Sequence, residues 1–188
     1  MKKYLLSAAF ALLPSIALAQ AAPFEHVGVR VSWNDLPFNP PYCEVEASYN
    51  VPERHQHNFK LRRSEEGYRV IITSYDWFNS RSGEHYPDIS IAFPGRNHAR
   101  HVGAEGWHNG ITFMLNVDEV GLLRSDARMT VLRDRSGGAV TMTDLSMTGI
   151  GSAIAEADSC LERLQREAEE RAARERAINH IERDPFGQ

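Results

Sequence analysis

The chain reads as a mainly β protein, an antiparallel β-sandwich or barrel-like sheet of about seven or eight strands with a C-terminal α-helix. Three observations carry that reading. Between His26 and Thr148, short runs alternate apolar and polar residues with period two, the spacing of a half-buried strand. Gly, Pro and Asn punctuate these runs at the intervals of antiparallel connections. After Gly149-Ile150-Gly151 the composition turns to Ala, Glu and Arg, with no Gly or Pro as far as Arg183, which suits a helix.

The elements follow in order. Val27, Val29, Val31 and Trp33 share one face of a first strand, with Gly28, Arg30 and Ser32 on the other. Residues 34–42 hold Pro37, Pro40 and Pro41 and predict a loop. Cys43, Val45, Ala47 and Tyr49 then alternate with Glu44, Glu46 and Ser48, and Phe59 and Leu61 mark a third strand over 57–63. Residues 68–78 predict a long strand partly covered on both faces, since Ile71 and Ile72 are adjacent. Ile89, Ile91 and Phe93 form a short strand stopped by Pro94-Gly95. Ile111, Phe113, Leu115 and Val117 give the clearest inward row, with Asp118-Glu119 as its polar end. Residues 129–134 and 139–144 flank Ser136-Gly137-Gly138, a hairpin signal.

In the final stretch, Ser152 is the expected N-cap, with Glu156 in the first turns. Ile154, Ala157, Leu161 and Leu164 recur at three- and four-residue steps and predict packing against the sheet. Past Leu164 the stripe fails, because Arg171 and Glu175 take the positions after Ala168. Glu162–Arg166, Glu167–Arg171 and Glu170–Arg174 stand four apart in the favourable order, each adding about 0.2–0.5 kcal/mol to a solvated helix. Residues 22–164 therefore read as one β-rich domain closed by the start of the helix, and 165–188 as a charged helical tail.

The chain also carries an address. Lys2 and Lys3 precede an apolar run over residues 4–18, and small residues follow in Ala17-Leu18-Ala19 and Ala19-Gln20-Ala21. Residues 1–21 read as a secretory signal peptide, too short for a permanent membrane span. The expected product starts near Gln20 or Ala22, is periplasmic or secreted, and keeps no transmembrane segment. No cysteine lies near the cut, which argues against a lipid anchor. A formal charge of −4 argues against nucleic acid as the partner, since phosphate binding needs a basic surface.

Cys43 and Cys160 are the two cysteines. In an exported chain they read first as one disulfide, tying an early strand to the last helix. Closing so long a loop contributes about 4–5 kcal/mol in the chain-entropy account. Free or redox-active thiols are the other reading, without a CxxC spacing to favour it.

Histidine supplies the most unusual pattern. His55 and His57 form HxH, His98 and His101 form HxxH, and His108 lies just beyond. Converging imidazoles would suit Zn or Cu, and HxH on a strand puts both rings on one face. Against this, His98 and His101 sit in a polar connection among Gly95, Gly103 and Gly106, and no acidic or cysteine ligand completes either cluster. Tyr75, Asp76, Trp77 and Trp107, with Trp33 and Phe78, are candidates for a ligand groove; burial in the sheet core is the alternative. For a hydrolase, Gly149-Ile150-Gly151-Ser152 has glycines only before its serine, so the G-x-S-x-G elbow is missing.

The segment 115–161 resembles a known family. Leu122-Leu123, then Ala127-Arg128-Met129-Thr130-Val131, a Gly-Gly turn, Leu145-Ser146-Met147-Thr148-Gly149 and Ala153 are similar to the closing part of invasion-associated locus B proteins, small exported proteobacterial proteins. The resemblance implies an envelope or secreted β-sandwich without known catalytic residues, tied to host contact or stress. It transfers no site residues. The charged tail after Cys160 and the histidine-rich middle depart from that pattern.

Together these readings predict an exported, non-enzymatic binding protein of the bacterial envelope, without a cofactor, whose partner is an envelope or secreted protein or a small ligand. A periplasmic metal-binding protein using the histidines is the second reading, and a hydrolase of unassigned class the third.

Overall fold

A computed structural model describes residues 25–34, 40–50, 56–74, 77, 81–96 and 98–183. The expected leader, residues 1–21, lies outside the described residues. The period-two runs fold as strands: β1 His26–Asn34, β2 Tyr42–Tyr49, β3 His57–Ser64, β4 Gly67–Ser74, β6 Ile89–Phe93, β9 Gly110–Leu115, β10 Met129–Arg135 and β11 Gly138–Leu145. Three short strands join them: β5 His85–Tyr86, β7 His98–His101 and β8 Ala104–Gly106. The helices are α1 Val117–Arg124 and α2 Ile150–Arg183.

These strands form two open antiparallel sheets, so the barrel-like alternative is set aside. The larger runs β1-β2-β3-β4-β9-β8-β5 and the smaller β11-β10-β6-β7. Register aligns the alternating residues into rows. Val31, Val45, Leu61, Val70 and Phe113 lie side by side across the larger sheet. Ala47, Phe59, Ile72 and Ile111 form the next row. All but the half-buried Val31 are buried, and they share one core with Ile89, Ile91, Phe93, Met129, Val131 and Leu145 of the smaller sheet.

The early part of α2 closes this core. Ile150, Ala153, Ile154, Ala157, Leu161 and Leu164 are buried in it, as the spacing predicts. Cys160, on the same face, is bonded to Cys43 of β2 with Cα atoms 6.2 Å apart. From Arg166 to Ile178 every residue of α2 is exposed, so the apolar face ends where the sequence stripe fails.

Four expectations need correction. Val117 does not extend the inward row: it opens α1 and is 83 % exposed. The helix starts there because the Asn116 side chain accepts from the Glu119 amide while the Glu119 carboxylate accepts from the Asn116 amide, a capping box that stops the strand. Ser152 is not an N-cap, since α2 already begins at Ile150 and the Ser152 hydroxyl donates to the Gly149 carbonyl. The strand expected over 68–78 is seen as β4 over Gly67–Ser74, and Trp77 lies in a helical turn rather than on it; Tyr75, Asp76 and Phe78 lie outside the described residues. His98 and His101 lie on a strand, β7, rather than in an open connection.

Candidate functional site

The polar residues fall into separate groups, most of them bonded among themselves. His57 points from β3 into the core, where alternation places it, and is only 1 % exposed. Its Nδ1 lies 3.0 Å from the Thr143 hydroxyl, and its ring centroid is 5.6 Å from that of Trp77. His55 lies outside the described residues.

His98 and His101 are three apart on β7, so a strand must send them to opposite faces. His98 faces inward, with Nε2 3.1 Å from a Glu119 oxygen. His101 faces out, beside Ser90 and Asp134. His108 occupies a left-handed turn at φ 47°, its amide donating to the Ser82 hydroxyl and its ring edge-on to Trp107. Among the described residues, no three His, Cys, Asp or Glu side chains converge as a metal site.

Glu119 is the residue that sequence reading misplaced. It is 0 % exposed, yet it gathers the polar contacts between α1 and β7. Arg100 Nε and Nη2 donate to its two oxygens at 2.6 and 2.7 Å, and the Asn116 amide donates at 2.8 Å. Burial pushes this carboxyl up, but Arg100, Asn116 and His98 outweigh it and hold it below the usual carboxylate range. The Asn-x-x-Glu spacing is the signal that could have located it.

On the outer face of the smaller sheet, Ser90, His101 and Asp134 have the residue types of a hydrolase triad. Their wiring differs. Ser90 Oγ lies 3.0 Å from His101 Nδ1 and 3.2 Å from Asp134 Oδ2, while that same Nδ1 lies 3.4 Å from Asp134. A working triad puts the acid on one ring nitrogen and the nucleophile on the other. Here the serine and the carboxylate crowd the same nitrogen.

The outer face of the larger sheet carries a ladder of ion pairs. Arg30 pairs with Glu46, Lys60 with Glu46 and Glu44, and Arg62 with Glu44. The Arg62 guanidinium also sits 3.9 Å over the Tyr42 ring. Burial lowers the affinity of Lys60 for its proton, but the bonds to Glu44 and Glu46 raise it above the ordinary value. These charges satisfy one another across adjacent strands.

The aromatic candidates separate as well. Tyr75 and Asp76 lie outside the described residues; Trp77 packs on the core. Trp107 stands 37 % exposed just after β8. A small cleft of about 240 Å³ opens between Asn58, Thr73, Ser74, His108 and Asn109.

The larger opening lies at the β1 edge. Val31 and Trp33 of β1 face Glu156, Ser159, Cys160, Arg163 and Arg166 of α2 across a groove of about 420 Å³. Trp33 is 62 % exposed, and the Arg163 guanidinium lies 5.9 Å over its ring. No known protein family, curated protein or solved structure matches the chain. The groove brings together a large aromatic face, two guanidinium groups and a sheet edge. It combines the features of a contact surface, and among the described residues the one lining hydroxyl, Ser159, donates to the Ala155 carbonyl of its own helix.

Proposed function

We propose that the protein is an exported, non-catalytic binding protein of the bacterial envelope, and that it meets its partner at the groove between β1 and α2. One observation carries this: Trp33, a residue type that dominates binding energy in interfaces, is 62 % exposed beside a groove of about 420 Å³. Its Arg163 and Arg166 neighbours add the other side chain enriched in such surfaces. The basic-apolar-small pattern of residues 1–21 supports export, and a Cys43–Cys160 disulfide suits an oxidising compartment. No described helix is long and apolar enough to cross a membrane. The resemblance of 115–161 to invasion-associated locus B proteins points to the same envelope setting.

Photo-crosslinking in the native host tests the reading. Benzoylphenylalanine in place of Trp33 is expected to give a discrete adduct. The same probe in place of Val140, exposed on β11, is expected to give none. An absence of adducts at position 33, or the same adducts from both positions, would reject the groove as the contact surface. Recovery of the precursor with residues 1–21 uncleaved, in the cytoplasm, would reject export.

A further inference from the structure

We propose that the β1 edge accepts an extended, acidic peptide as an additional strand, its carboxylates meeting Arg163 and Arg166. This deepens the reading of the groove given above and rests on it. Among the described residues, β1 ends its sheet and pairs only with β2. Such an edge presents a row of backbone donors and acceptors on which another chain can add. Natural edges are blunted by brevity, bulges or covering elements. Here the register irregularity is confined to the stretch between His26 and Val29, and the pairing from 29 to 34 is regular. That length is about 20 Å at roughly 3.3 Å per residue, enough for a six-residue segment.

The groove then sets what the added strand must carry. Every second side chain would project toward α2, beside Val31 and Trp33. Arg163 and Arg166 line that side, and neither forms an ion pair among the described residues, so the Glu162–Arg166 pair expected from their spacing is not made; Glu156 is the one carboxylate in the lining. Contrast the outer face, where Arg30 is already paired with Glu46. These guanidinium groups, without a carboxylate partner among the described residues, therefore face the incoming strand's inward positions, where an acidic residue gains charge-assisted hydrogen bonds and a lysine is repelled. Trp33 supplies an apolar platform for the neighbouring inward residue. The volume, about 420 Å³, falls within the roughly 300–1,000 Å³ of ordinary ligand sites, but an open sheet edge along its side selects an extended chain over a compact molecule.

The test uses the full mature chain and fluorescent eight-residue peptides of alternating Val and Thr with either Glu or Lys at the inward-facing phase. Anisotropy is expected to show the Glu peptide binding at least tenfold tighter than the Lys peptide. The double variant R163E/R166E should reverse that order, while R171E/R174E, farther along the exposed helix, should leave it unchanged. N-methylation of alternate backbone amides on the Glu peptide should weaken binding at least tenfold. Equal affinity for both peptides, no binding by either, or indifference to N-methylation would overturn the proposal. So would sedimentation showing a dimer that W33A dissociates, because the edge would then be occupied by a second copy. If the position-33 crosslink succeeds and the peptides fail, the groove remains the contact surface and only the acidic strand is rejected.

Discussion

Glu119 of α1 and Arg100 of β7 form a two-pronged ion pair that fastens the smaller sheet to the helix following β9. Arg100 reaches across from β7 with Nε and Nη2 on the two carboxylate oxygens, at 2.6 and 2.7 Å. The same Nη2 donates to the Met114 carbonyl on β9 at 3.1 Å. Because His98 Nε2 meets an acceptor, the carboxylate, it is the proton-bearing nitrogen there. A single buried carboxylate thereby satisfies a helix start, a strand arginine and a histidine.

That arrangement makes the domain sensitive to acid. The Glu119 carboxyl is held below its ordinary value. Its stabilising contribution is therefore complete above the unfolded carboxylate pKa of about 4.3 and is lost as pH falls through the lower folded value. E119Q should destabilise the protein at pH 7 by about 1–3 kcal/mol, since an uncharged amide cannot meet both guanidinium donors. The difference between wild type and E119Q in urea titrations should shrink steadily from pH 5 to pH 2. A constant difference across that window would show that the carboxylate charge is not responsible.

Reduction of the Cys43–Cys160 bond should have the largest effect of any single chemical change. The bond spans 117 residues of chain and ties α2 to β2 at a fully buried cysteine. Guanidinium unfolding with and without a phosphine reductant is expected to differ by about 4–5 kcal/mol, as loop-closure entropy dictates. C43A/C160A should match the reduced protein to within about 1–2 kcal/mol, the scale of a packing change.

The sequence made the sheet rows legible because alternation is a local signal: Val45, Phe59, Ile72 and Phe113 each announce their inward face within their own strand. Strand neighbours are not local, and so the edge position of β1, which exposes Trp33, could not be read. The three added strands β5, β7 and β8 are two to four residues long, too short to establish a period. His98 and His101 looked like a possible pair because spacing on a loop has no direction; on β7 the backbone separates them. Glu119 was hidden behind Val117, whose hydrophobicity continued a strand pattern that the Asn116 cap interrupts. The disulfide and the reach of the apolar stripe in α2 were legible from cysteine number and helical spacing.

The exposed end of α2 should be dispensable for stability. At about 1.5 Å per residue, its 34 residues extend roughly 51 Å. Among the described residues, the last hydrogen bond from α2 to the sheet region is Gln165 Nε2 donating to Glu65 at 3.2 Å, and Arg166 is the last residue lining the groove. Deleting residues 169–188 keeps both groove arginines and should shift the unfolding free energy by less than about 0.5 kcal/mol, while lowering the helical circular dichroism signal. A larger loss of stability would mean the distal helix contributes to the fold through contacts of its own.

Two glycines give opposite expectations for the same substitution, and together they test how tightly the larger sheet is assembled. Gly110 is buried at the start of β9, and a methyl group there would overlap the Ile72 carbonyl of β4. The methyl is fixed by the Gly110 backbone and its obstacle is the Ile72 backbone, so no side-chain rotation relieves the clash and β9 must shift from β4. Such overpacking costs about 1–3 kcal/mol, and Arg100 would feel it through its bond to Met114 on the same strand. Gly121 instead lies on the exposed face of α1 with open space around it. There alanine removes only unfolded-chain freedom and should stabilise by up to about 1 kcal/mol. G110A should therefore lower the urea midpoint and G121A raise it. Equal shifts would mean that β9 tolerates displacement, and the tight β4–β9 pairing would lose its role in holding Glu119 against Arg100.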